Sequence, residues 1–268
     1  MNRLPSHLHL DSGWALEVWA AGLWVLMAAL YSSAAVVSSR KYKPWPLYRH
    51  LCWHAGLACA LAAVAGPIAD RAHDDFTAHM SGHLLLGMLA PLLIALASPM
   101  KLLLRTLPIA YSRRIARVLT SRPIRLLHEP LIAAVLNVGG LWALYTTNIY
   151  TWMHHHISVH VLVHLHLFLA GYLFTISIVY IDPTPYRTSF LYRAIVLVTA
   201  MGGHAVLSKH IYARPPAGVP AAQAETGSML MYYGGDAIEI MLVWLFCWQW
   251  FKAERSGTLV PERLLHRK

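Results

Sequence analysis

Charge is what this sequence lacks most. Of its 268 residues only 13% are Asp, Glu, Lys or Arg, while 57% are hydrophobic. Soluble domains carry about 25% charged residues. A chain this poor in charge, with a mean hydropathy of +0.47, falls in the membrane class. Cysteine is scarce as well. Cys52, Cys59 and Cys247 are the three, none in a C-x-x-C pair, so no disulfide framework is expected. Acidic residues number 12 against 22 Lys and Arg, giving a net charge of +10. In a membrane protein such an excess reports topology, and nucleic-acid binding is not expected. Internal repeats and low-complexity tracts are absent.

What is present is long apolar runs. A helix needs about 20 mostly apolar residues to cross the hydrocarbon core, and seven stretches qualify: 14–39, 48–66, 76–98, 131–150, 156–181, 190–209 and 228–251. The expectation is an all-α, polytopic membrane bundle of about seven helices, forming a single domain over residues 1–268. An odd number of spans puts the termini on opposite sides. One side then holds Arg40, Lys41, Lys43 and Arg49, the seven basic residues from Lys101 to Arg125, Arg187, Arg193, and the tail residues Lys252, Arg255, Arg263, Arg267 and Lys268. The other side holds Arg3, Arg71, Lys209 and Arg214. Eighteen basic residues against four place the N-terminus outside and the C-terminus in the cytoplasm. The first span is too long for a cleaved signal peptide, and its positive cluster follows it. Residues 101–127 mix leucine and isoleucine with arginine and read as an amphipathic loop on an anionic leaflet.

The 17 histidines are not scattered. With that orientation, His79 and His83 lie in the first two turns of the third span, and His156, His160 and His164 in the first half of the fifth. His204 lies near the outer end of the sixth, and Asp236 and Glu239 two to three turns into the seventh. His79/His83 and His156/His160/His164 follow i, i+4 spacing and so share helix faces. Met201 and His204 are i, i+3, as are Asp236 and Glu239. Metal sites in helical bundles are built this way. A single histidine in a membrane helix often only bonds a neighbouring helix, and a methionine there usually only packs. Two histidine pairs and an acidic pair at one depth are different, because ionisable groups inside a membrane mark functional sites. Imidazole suits Cu, Zn, Fe or Ni, and thioether sulfur shifts the choice toward Cu(I).

The run Phe76-Thr-Ala-His79-Met80-Ser-Gly-His83-Leu84-Leu85-Leu86, followed by Ala90-Pro91-Leu92-Leu93 and Pro99, resembles the CtaG (caa-type oxidase) family of cytochrome c oxidase assembly factors. The hallmark of that family is an H-M-x-x-H-L-L-L run leading into A-P-x-L-L. Gly66-Pro67-Ile68-Ala69-Asp70, His160-x-x-x-His164 with Phe168-Leu169-Ala170-Gly171, Asp182-Pro183, and His204 with Ile211-Tyr212 are also similar. The likeness runs from about residue 50 to 250. Tyr232-Tyr233-Gly234-Gly235-Asp236 departs from it, with the acid after the glycines.

The resemblance implies a role in supplying copper to the oxidase, where spacing alone implies only a metal. The expected ligands are His79, His83, His160 and His164, with His204 and Asp236 next. Met80, Met201 and His156 are additional candidates, and Glu239 one that orients a histidine. The metal would be copper, as Cu(I) or Cu(II). The expected partners are oxidase subunits, a periplasmic copper chaperone and the lipid bilayer, in a bacterial inner membrane, with no catalysis required of the chain. The rival readings are a membrane di-iron oxygenase or desaturase, a b-type haem protein, and a transporter using the cluster as a proton relay. Desaturase histidines face the cytoplasm, and these are expected to face outward.

Overall fold

The computed structural model describes residues 7–184 and 186–255, and every regular element among them is helical. Arg3 and the tail residues Arg263, Arg267 and Lys268 lie outside the described residues. Helix α1 (His7–Lys41) runs along the periphery against α2 (Leu47–Val64) and, further on, the helix Pro99–Thr106. Trp19, Leu23, Leu26 and Leu30 on α1 are exposed, as suits a helix whose solvent is lipid. The chain then turns at Gly66, whose φ of 82° suits a residue without a Cβ. A short α3 (Pro67–Arg71) leads to the central rod.

That rod is the most buried span. It starts as α4 (Phe76–His83), where the Asp75 side chain accepts from the Thr77 amide at 2.8 Å. It widens into a π-helical stretch (Leu84–Leu89) and resumes as α5 (Ala90–Ala97). The cause of the widening is Pro91, which has no N–H for the carbonyl of Gly87 four residues earlier and whose ring crowds it. Ser98, at φ 53° and ψ 58°, ends α5 in the left-handed region, and α6 (Pro99–Thr106) follows. Asp182 caps α6 from a distant loop, accepting from the amides of Met100 (3.2 Å) and Lys101 (2.9 Å). Burial pushes its carboxyl above the usual range, against the pull of these two amides. Next come α7 (Ile109–Leu119) and α8 (Arg122–Leu127), which bury no side chain. Ile109, Val118 and Leu126 remain exposed among the arginines, as an interfacial segment requires.

The fourth span departs from the expected 131–150. It consists of α9 (Pro130–Ala134), a second π-helical stretch (Val135–Gly139) and α10 (Gly140–Thr146), then breaks. The chain resumes as α11 (Ile149–His155), bent by 76°. The hydroxyls of Thr146 and Thr147 each bond the carbonyl four residues back at 2.6 Å, Thr147 adopts an extended backbone, and its hydroxyl accepts from the Ile149 amide. These local bonds compete with the helix and stop it. Helices α12 (Ile157–Ile178), α13 (Phe190–Ala213) and α14 (Ala221–Arg255) complete the bundle. Among the described residues six helices are long and apolar enough to cross a membrane, and there are seven if the bent pair is one span. The rod packs against α2, α12 and α14, and α13 packs against α14. Without a hydrophobic drive between helices in lipid, this contact rests on close packing.

Candidate metal centre

Two histidines one turn apart on α4 face different neighbours. The Nε2 of His79 lies 3.1 Å from the Tyr145 hydroxyl, which in turn donates to the Met80 sulfur at 3.6 Å. Phe76 stacks on the same ring and Tyr150 meets it edge-on. His83, one turn deeper, lies beside His204 of α13, with ring centres 6.0 Å apart. The His204 Nδ1 is 3.6 Å from a Glu239 carboxylate oxygen on α14. His83, His204 and Glu239 are all buried.

Glycine makes this approach of helices feasible. A Cβ on Gly235 would stand 2.5 Å from the His204 ring, and one on Gly234 would stand 2.6 Å from Leu84. The pair of glycines in the seventh span is therefore the seat on which His204 and the rod pack.

Both ring nitrogens of His83 and the Nε2 of His204 are buried without a hydrogen-bond partner. Buried polar atoms are nearly always paired, and leaving one bare costs about 1–3 kcal/mol. Three such atoms on two adjacent imidazoles are a concentration of unused lone pairs or protons. Beside them lies a cavity of about 40 Å³, lined by His204, Glu239, Asn137, Thr175 and both π-helical stretches through Gly87, Met88 and Val138. It is large enough for water and far too small for a porphyrin, since ligand pockets run to about 300–1,000 Å³.

His160 and His164 do not join that centre. They stack on each other at 4.2 Å, and His160 also stacks on His73 at 5.7 Å. His154 of α11 lies 6.4 Å from His79. An open cleft of about 210 Å³ at this end of the bundle, its mouth, is lined by His73, His154, His155, Asp74, Asp75, Tyr150 and Gln223.

The structure thus divides the residues picked out by sequence. His79 and His83 follow the rod inward and His204 meets His83 from α13, while His160 and His164 pack with His73. His156 is exposed at the start of α12. Met80 is fully buried beside Tyr145, and Met201 packs with the apolar core around Phe174 and Val196. Glu239 is the carboxylate that reaches His204, while Asp236 lies half-buried one turn away. Among the described residues, no three His, Cys, Asp or Glu side chains stand as they are in an arrangement that could hold a metal ion. Sequence reasoning left His73, His154 and Tyr145 out of the site. The tyrosine carried no signal, but the two histidines did, lying next to spans already singled out.

Comparison with known proteins agrees with the site-bearing helices. The sequence model of the cytochrome c oxidase caa3 assembly factor family matches residues 29–253. Uncharacterized proteins of Mycobacterium bovis and Mycobacterium tuberculosis are each 28% identical over 214 residues. One of Mycobacterium leprae is 24% identical over 208 residues. Each alignment covers 75% of this chain and 32% of the relative, so the chain spans about a third of the length of these relatives. No solved structure matches it significantly. With the match running from the first span to the end of the last, the chain belongs to the cytochrome c oxidase caa3 assembly factor family.

Proposed function

We propose that this protein binds copper as cargo between its helices and delivers it during assembly of a cytochrome c oxidase, acting as a carrier and not as an enzyme. The observation that carries this reading is the trio of unpartnered nitrogens on His83 and His204 in the membrane interior. The donors fit the metal, since imidazole is a good copper ligand and needs no charge of its own to bind. Glu239, 3.6 Å from His204 Nδ1, would orient that ring and leave its Nε2 for the ion. With the Tyr145 hydroxyl donating to Met80, His79 donates through Nε2 and keeps a lone pair at Nδ1.

The uneven split of basic residues supports a mouth on the outer side of a bacterial inner membrane. A periplasmic copper chaperone would meet it there, and an oxidase subunit would receive the ion.

The test is elemental analysis of detergent-purified protein after copper loading. His83→Ala and His204→Ala should each strip the buried ion while the protein still inserts in membranes. His166→Ala should retain it, because the His166 ring turns away to donate to the Leu136 carbonyl at 3.1 Å. Equal copper content in all three variants would overturn the assignment.

A further inference from the structure

The mouth of the bundle holds more imidazole than the buried centre uses. His73 comes from the loop before α4, His154 from α11, and His160 and His164 from α12. His160 is in contact with both His73 and His164 through its ring faces and lies within electrostatic reach of His154. His73 and His154 line the open cleft together with Asp74. His73 and His154 are exposed and His160 and His164 half-buried, whereas His83 and His204 are sealed from solvent.

Two of these rings are already set for coordination. The Nδ1 of His164 is 2.9 Å from the His160 carbonyl, and the Nδ1 of His154 is 2.9 Å from the Tyr150 carbonyl. A carbonyl oxygen can only accept, so in both rings Nδ1 carries the proton and Nε2 presents the lone pair. A backbone carbonyl holding the far nitrogen is the support that metal-binding histidines usually have. His79, 6.4 Å from His154 and one turn above His83, stands between the two groups.

We infer that the mouth is a second copper site, separate from the buried one and in series with it. His160, which lies against His73 and His164 and within electrostatic reach of His154, is its centre, and the four imidazoles close around the ion, His154 and His164 through Nε2. The open cleft lets an ion arrive partly hydrated and lose water in steps: first to the mouth imidazoles, then past His79 to His83 and His204. The inference rests on the copper reading above and adds that acquisition and retention are done by different residues.

The experiment uses the full chain in detergent, loaded anaerobically with Cu(I) and dialysed. The expected contents are two ions per chain for the unaltered protein, one for His154→Ala/His164→Ala, and one for His83→Ala/His204→Ala. The mouth variant should also fill its remaining site at least tenfold more slowly with unchanged affinity. As a check that needs no variant, diethyl pyrocarbonate modifies accessible histidines in the unaltered protein. Treatment before loading should remove one ion of the two. A single ion in the unaltered protein that both double variants lose would mean one shared site. That would overturn this inference and leave the copper reading standing. Unaltered protein that binds no copper would overturn the reading itself.

Discussion

Gly171 on α12 lies directly against the carbonyl oxygen of Gly87 in the π-helical stretch of the rod: a Cβ at residue 171 would stand 2.0 Å from that oxygen and 3.2 Å from the Pro91 ring. Proline and the two glycines therefore act together. Pro91 frees the Gly87 carbonyl, and Gly171 lets a second helix close over it. Gly171→Ala should lower stability by about 1–3 kcal/mol or more, the cost of overpacking a tight contact. Gly202→Ala, where a Cβ meets nothing within 4 Å, should be neutral or slightly stabilising. Thermal unfolding of the two variants in detergent makes the comparison. Similar melting temperatures would show that the helices are not in close contact at Gly87.

Glu239 and Asp236 should behave differently. Glu239→Gln removes the carboxylate that faces His204 and should weaken copper binding by about 10–100-fold, as loss of a ligand-orienting partner does. Asp236→Asn should have a much smaller effect. Competition against a Cu(I) chelator measures both, and a larger loss for Asp236→Asn would reverse the assignment.

Orientation can be tested in cells with a cysteine-free background in which Cys52, Cys59 and Cys247 are replaced. A single cysteine at Ala221, exposed at the start of α14, should react with a membrane-impermeant maleimide added outside. One at Arg113, on the basic face of α7, should not. The opposite labelling would turn the mouth toward the cytoplasm and remove a periplasmic donor as the source of copper.

Acid should release the metal. Imidazole must be neutral to coordinate, and its unperturbed pKa is about 6.5, so protons compete for the same lone pairs as pH falls below that value. A site with two or more histidines should lose more than a factor of ten in affinity per pH unit well below the histidine pKa. Thioether sulfur has no such competitor, so a site held by Met80 and Met201 would keep its affinity. Burial in the bilayer disfavours the charged imidazole and moves this competition to lower pH, so chelator competition from about pH 7.5 down to about pH 3.5 decides between imidazole and thioether ligation.

The order of the long apolar helices was legible because a run of apolar residues long enough to cross lipid has few other uses. The breaks were harder to see. Nothing in a hydropathy pattern separates Thr147, whose hydroxyl stops a helix, from the many threonines that continue one. Position along each helix was legible for the histidines, because each residue adds a fixed rise. Partners were not. His79 and His83 share a face by spacing, yet a slight turn between them, and the order in which helices pack, gives one ring to Tyr145 and the other to His204. Asp236 and Glu239 were indistinguishable for the same reason. Their spacing places both on one side of α14, and only the seat cut by Gly235 decides which meets His204.

The elbow between α10 and α11 bears on the membrane itself. Its crossing portion, Pro130–Thr146, spans about 25 Å at about 1.5 Å per residue, whereas the hydrocarbon core is about 30 Å thick. Thinning of the bilayer is one way in which lipid meets a span shorter than its hydrocarbon core, and the expectation is a thinner membrane on that flank than around the long α13 and α14. On that flank the aqueous surface is expected to lie closer to the cleft that His154 and His155 line.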